Sequence, residues 1–211
     1  MLSIQMIQTL YIFGGLVITL LLSQIWEKKK ACPCRVRVPI SMITMLSTIA
    51  IGFMNGFNPL TYIIIGLAFF AGLGSFLAPR IENAGGVAFI VAYLGAFALF
   101  DFFNIINLFN IGLENLSIFG ALLAIVLMFL KKQNSVTTIY VIGLGMFFMT
   151  GVTSMILPIV VGTILWVLSE LIILFVLDYN KDLPKIMRDK LEYFAAGLFS
   201  YGVLMLPLAL L

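Results

Sequence analysis

Apolar runs about twenty residues long recur from one end of this chain to the other, each bounded by turn or charged residues. Eight can be marked, at roughly 5–25, 39–57, 60–78, 84–104, 112–130, 136–154, 157–177 and 191–209. That is the length an α-helix needs to cross the hydrocarbon of a bilayer. Lipid offers a crossing segment no hydrogen-bond partners, so each run must satisfy its own backbone, as a helix does. Composition agrees: 63% of the 211 residues are hydrophobic and only 10% are charged, against about 25% charged in a soluble domain. A soluble protein, or a soluble protein on one anchor, is excluded. The expected fold is an all-α polytopic transmembrane helical bundle of eight spans, with 1–211 forming a single integral membrane domain.

The charges test the count. Eight spans place Lys28, Lys29, Lys30, Arg35 and Arg37 between spans one and two, and Arg80 between three and four. Lys131 and Lys132 then fall between five and six, and Lys181, Lys185, Arg188 and Lys190 between seven and eight. All twelve basic residues share one side. Dropping any internal span would scatter them. Basic loops stay cytoplasmic, so both termini are expected on the extracytoplasmic side. The expected location is a bacterial inner (plasma) membrane. The pI near 8.9 follows from these loop lysines and needs no nucleic-acid partner.

The first run has an uncharged start and its basic residues after it, the reverse of a cleavable signal peptide, and reads as a retained span. Cys32 and Cys34 form a CxC pair beside the basic run. A closed zinc site wants four ligands, and the chain has no histidine, so these read as ordinary juxtamembrane cysteines and no metal is expected. Close glycine spacings, as in Gly66, Gly72 and Gly74 or Gly143, Gly145 and Gly151, read as tight helix packing.

One carboxylate stands well inside an apolar run: Glu170, in PIVVGTILWVLSELIILFVLDY. An ionised group at that depth is costly unless paired or hydrated, so it must face the bundle interior or a wet cleft. Two readings stay open, a neutral hydrogen-bonded structural glutamate and a site residue, with cost favouring the second. Ser41, Thr44 and Thr48 recur at spacings of three and four and share one helical face. With Ser75, Ser169, Tyr193 and Ser200 they would line a polar pocket open to the cytoplasm. Asp101, Asn104 and Asn107, with Asn55 and Asn58, form a second polar set expected at the outer interface.

These landmarks resemble the lysoplasmalogenase-like (YhhN-like) family of eight-span membrane proteins. Pro39-Ile40-Ser41 looks like its Lys-Pro-Leu-Thr opening of span two, with Val38 where the lysine is expected. Gly66-Leu67 and then Gly74-Ser75 look like the span-three motif ending in Gly-Asp. Gly86 through Tyr93 follows the glycine-led fourth span without its usual histidine. Gly162 through Ser169-Glu170 matches a segment ending in Ser-Asp, and Tyr193-Phe194-Ala195-Ala196 resembles the final-span motif, with Gly197 for its polar residue.

The resemblance implies hydrolysis of the vinyl-ether bond of lysoplasmalogen to an aldehyde and a glycerophospho-alcohol, without metal or organic cofactor. The family's two membrane aspartates correspond here to Ser75 and Glu170. Glu170 is then the expected proton donor, its acidity lowered by burial. Ser75 cannot act as a carboxylate; it would hold a water, with Glu170 alternating as acid and base. A Ser75 nucleophile would need an activating base, and none is identifiable. The implied partner is a membrane lysolipid, whose phosphate would meet Arg80 or the basic loop Lys181–Lys190. The rival reading is a non-catalytic transporter or lipid-binding protein that retains the fold.

Overall fold

The computed structural model of the protein describes residues 4–28, 34–81, 83–103, 135–174 and 182–211. They form α1 (Ile4–Lys28), α2 (Cys34–Asn55), α3 (Pro59–Leu77), α4 (Ala84–Phe102), α5 (Ser135–Thr153), α6 (Leu157–Ile173) and α7 (Lys185–Met205). A 3₁₀ turn, Leu206–Leu210, extends α7. Five of these helices, α2 to α5 and the extended α7, are long and apolar enough to cross a membrane, and α1 and α6 carry shorter apolar stretches. The protein is an all-α, multi-span membrane bundle. The expected span 112–130, Cys32, Asn104 and Asn107, and the side chains of Lys28, Lys29, Lys30, Cys34, Arg35, Lys131, Lys132 and Lys181 lie outside the described residues.

The helices begin and end where local chemistry dictates. Asn58 caps α3: its side chain accepts from the Thr61 amide at 2.9 Å, while the Thr61 hydroxyl accepts from the Asn58 amide at 3.3 Å. Pro59 opens that helix, where a missing N–H costs nothing. Gly56 supplies the left-handed backbone (φ 86°) that the α2–α3 turn requires. This gives Asn58 a structural task at the expected outer interface. Asn55 beside it donates to the Leu210 carbonyl at 3.0 Å and pins the end of the chain. The break expected near residues 150–155 falls at Ser154–Ile156, where the Ser154 hydroxyl donates to the Gly151 carbonyl at 2.7 Å.

Helices α2 to α7 form a closed ring, α2 against α3, α3 against α4 and so on to α7, which returns to α2; α1 packs outside against α7 and α2. Lipid is as apolar as leucine, so close fit rather than hydrophobic exclusion must hold such helices together. Glycines provide it. A Cβ on Gly162 would lie 2.7 Å from the Gly202 carbonyl oxygen, and one on Gly202 would lie 2.6 Å from that of Gly162, so α6 and α7 touch backbone to backbone. Gly74 admits the Phe89 ring, and Gly151 admits Thr163. Gly66, expected to act likewise, faces open space. Outside the ring, exposed Leu10, Phe13, Phe53 and Met155 present the apolar surface a bilayer accepts.

Two antiparallel registers place the bundle's polar residues. Ser41 of α2 stands opposite Gly72 of α3. Ser169 of α6 stands opposite Ala195 of α7, in the same register as Gly162 and Gly202. The start of α2, the ends of α3 and α6 and the start of α7 therefore share one end of the bundle, which carries Arg37, Arg80, Lys185, Arg188 and Lys190.

Candidate functional site

Gly162, Trp166, Ser169 and Glu170 follow one another on α6 at spacings of four, three and one, which puts them on one helical face. The glycine brings α7 close, and that face turns into the ring. Trp166 and Ser169 are fully buried and Glu170 is nearly so. Ser169 donates to the Ala195 carbonyl at 2.6 Å, fastening the same pair of helices two turns from the glycine contact.

Glu170 meets a cation expected in the loop between spans one and two, Arg37. Helix α2 starts at Cys34, five residues before the expected boundary, so Arg37 is not a loop residue but a buried helical one. Its Nη1 donates to Glu170 Oε1 at 2.9 Å and its Nη2 to Ser169 Oγ at 3.0 Å. The guanidinium lies over the Phe199 ring, 4.3 Å from the centroid, a cation–π contact. The paired side chains are 8% and 4% exposed, so water screens them little. The other oxygen of Glu170, Oε2, accepts from the Tyr140 hydroxyl of α5 at 2.6 Å. Tyr140 OH lies 3.5 Å from Tyr93 OH of α4, which accepts from Trp166 Nε1 at 3.2 Å.

Donor direction along this chain is determined. Indole N–H can only donate, and Tyr140 spends its proton on the carboxylate, so Tyr93 donates to Tyr140. From the other side the guanidinium also only donates. Every bond therefore points toward Glu170, which accepts on both oxygens. One network ties α2, α4, α5, α6 and α7 together, and rings of Phe89, Phe147 and Phe199 pack edge-on or stacked around Tyr93 and Trp166.

The other expected site residues divide. Ser41 and Thr44 share the buried stripe of α2 with Arg37. Ser75 is buried on α3, three residues past Gly72, level with the turn of α2 that holds Arg37. None of these three hydroxyls has a hydrogen-bond partner among the described residues. Thr48 and Ser200 bond instead to the carbonyls of Thr44 and Ala196, at 2.7 and 2.6 Å, the ordinary fate of a helical hydroxyl. Tyr193 is half-buried on α7. Arg80 lies exposed after α3, stacked over Phe76 at 3.6 Å and bonded to the Phe76 carbonyl. Tyr140, Tyr93 and Trp166 were missed because an aromatic residue in an apolar run reads as packing. Arg37 did carry a signal, since it continues the Ser41–Thr44–Thr48 stripe by one turn.

Comparison of the chain with protein-family models, with curated proteins and with solved structures finds no match.

Proposed function

We propose that this is a divergent lysoplasmalogenase-like hydrolase of eight spans, resident in a bacterial inner membrane with both termini outside, acting on the vinyl-ether bond of a lysolipid. The observation that carries the reading is the Glu170 carboxyl group held by Arg37 and Tyr140 inside the ring, at the end of the segment that most resembles the family; in this reading it is ionised. The grouping of the described basic residues at one end supports the orientation, because that end would face the cytoplasm.

Vinyl-ether hydrolysis adds a proton to the far alkene carbon and a water oxygen to the ether-bearing carbon, and the hemiacetal then releases alcohol and aldehyde. In our reading Tyr140 delivers the proton to carbon. Glu170 takes a proton from the attacking water and returns it to Tyr140 along their 2.6 Å bond, so the pair ends as it began. Arg37 and Ser169 position the carboxylate, and misplacement by about 1 Å would cost on the order of 10²-fold in rate.

One observation favours the rival, a non-catalytic lipid-binding or transport protein: both oxygens of Glu170 are already engaged by the protein, as a structural clamp requires. Aldehyde release from lysoplasmenylcholine and lysoplasmenylethanolamine separates the two. Release by the wild type that is lost in Glu170→Gln and Tyr140→Phe supports the hydrolase. Folded wild type that releases none from either headgroup supports the clamp.

A further inference from the structure

Helical hydroxyls such as those of Ser47, Thr48, Thr150, Thr153 and Ser200 donate to a carbonyl one turn back. A buried hydroxyl with no such bond costs about 1–3 kcal/mol, so departures from the pattern need a cause. Five buried hydroxyls among the described residues depart from it: Thr19 and Thr163 stand singly on α1 and α6, and Ser41, Thr44 and Ser75 are 2%, 0% and 3% exposed. The last three stand together. Ser41 and Thr44 lie one and two turns along the α2 stripe from Arg37, Ser41 faces α3 across Gly72, and Ser75 is at the Arg37 level on α3.

Arg37 adds to the set. Its bonds to Glu170 and Ser169 use two N–H donors, and a guanidinium carries more than two. Unspent donors thus gather where α2 meets α3, while the nearest carboxylate is committed to Arg37 and Tyr140. A donor-rich site selects an acceptor-rich ligand. Phosphate oxygens only accept, and a guanidinium can bridge a carboxylate on one edge and a phosphate on another.

We propose that Arg37, Ser41, Thr44 and Ser75 form a receptor for a phosphate ester. The ligand is the headgroup phosphate of the lysolipid, so this proposal rests on the lipid reading above and deepens it. It moves the phosphate from Arg80, whose guanidinium is exposed and stacked on Phe76, to the interior. It also gives Ser75 a part as a donor that an aspartate there could not play. A bridged Arg37 fixes the distance between phosphate and Glu170, and so selects lipids whose reacting bond lies one glycerol unit from the phosphate.

The test is equilibrium binding to the purified full chain in micelles, with three uncleavable probes. These are an alkyl-ether lysophosphoethanolamine, the matching alkylglycerol without phosphate, and glycerophosphoethanolamine without a chain. The expected result is binding of the phospholipid at least about tenfold tighter than alkylglycerol, equivalent to about 1.4 kcal/mol. Ser41→Ala and Ser75→Ala, which leave the Arg37–Glu170 pair intact, should each shrink that preference several-fold without changing alkylglycerol binding. Ser75→Asp should abolish it by repulsion.

Equal binding of phospholipid and alkylglycerol would overturn the phosphate site while leaving a lipid-binding protein standing. Retention of the full preference in both Ala variants and in Ser75→Asp would overturn the assignment to these residues. Glycerophosphoethanolamine binding as tightly as the phospholipid would keep the anion receptor but overturn its lipid source. Binding of no probe by folded protein would overturn this proposal together with the lipid reading.

Discussion

Removing one member of the Arg37–Glu170 pair should damage the bundle far more than removing both. In Arg37→Leu, Glu170 keeps only the Tyr140 bond and loses its counter-charge. In Glu170→Leu, the guanidinium keeps Ser169 and the Phe199 face but nothing negative. With the pair's side chains 8% and 4% exposed, little water can substitute, and breaking such a pair costs about 3–5 kcal/mol. The double variant leaves no buried charge, and apolar replacement of a whole pair is often neutral or stabilising. We therefore expect each single variant to lose about 3–5 kcal/mol and the double to lie within about 2 kcal/mol of wild type. Equilibrium unfolding in mixed micelles reads all four corners of the cycle. Arg188–Glu192 on α7, an i,i+4 pair with side chains 40% and 23% exposed, is the internal control, with an expected coupling of about 0.3–0.5 kcal/mol. Single losses below about 1 kcal/mol, or a double loss equal to the sum of the singles, would refute the reasoning, because the charges would then behave as solvated.

Three further outcomes follow from other contacts. Tyr140→Phe should cost about 1.5–3 kcal/mol by removing a charge-assisted bond, and Tyr93→Phe, which touches the carboxylate only through Tyr140, should cost less by the same unfolding assay. Gly162→Ala and Gly202→Ala each drive a Cβ against a backbone carbonyl and should lose about 1–3 kcal/mol, while Gly66→Ala, facing open space, should stay within about 0.5 kcal/mol. For topology, single cysteines at Arg80 and Asp182 in a chain lacking Cys32 and Cys34 should react with an impermeant thiol reagent only from the cytoplasmic face. Cysteines at Asn55 and Met155 should react only from the other; labelling of Arg80 and Asp182 positions from opposite faces would contradict the orientation.

The helices were legible because lipid enforces them: all seven described helices begin within about six residues of the start of an apolar run, and the stripe of Ser41, Thr44 and Thr48 was visible as a period. The centre was only half legible. Glu170 announced itself by cost. Its cation did not, because an arginine next to lysines at the edge of an apolar run reads as a loop charge, and only the extra turn of α2 carries Arg37 inside. Tyr140 sits thirty residues from Glu170 in sequence, and its hydroxyl is invisible to periodicity. Ser75 and Glu170, paired by resemblance, are on opposite flanks of Arg37 and share no hydrogen bond. Gly66 shows the converse limit, since a glycine in a span can face open space as readily as a neighbour.

The central claim is that an ionised carboxylate sits inside the bundle between a guanidinium and a phenol. Its most direct test is the infrared difference spectrum between wild type and Glu170→Gln, in lipid at neutral pH. The account predicts that the substitution removes an ionised carboxylate stretch and leaves the protonated carboxyl region unchanged. Loss of a protonated carboxyl carbonyl band instead would contradict it, showing a neutral acid that Arg37 does not pair.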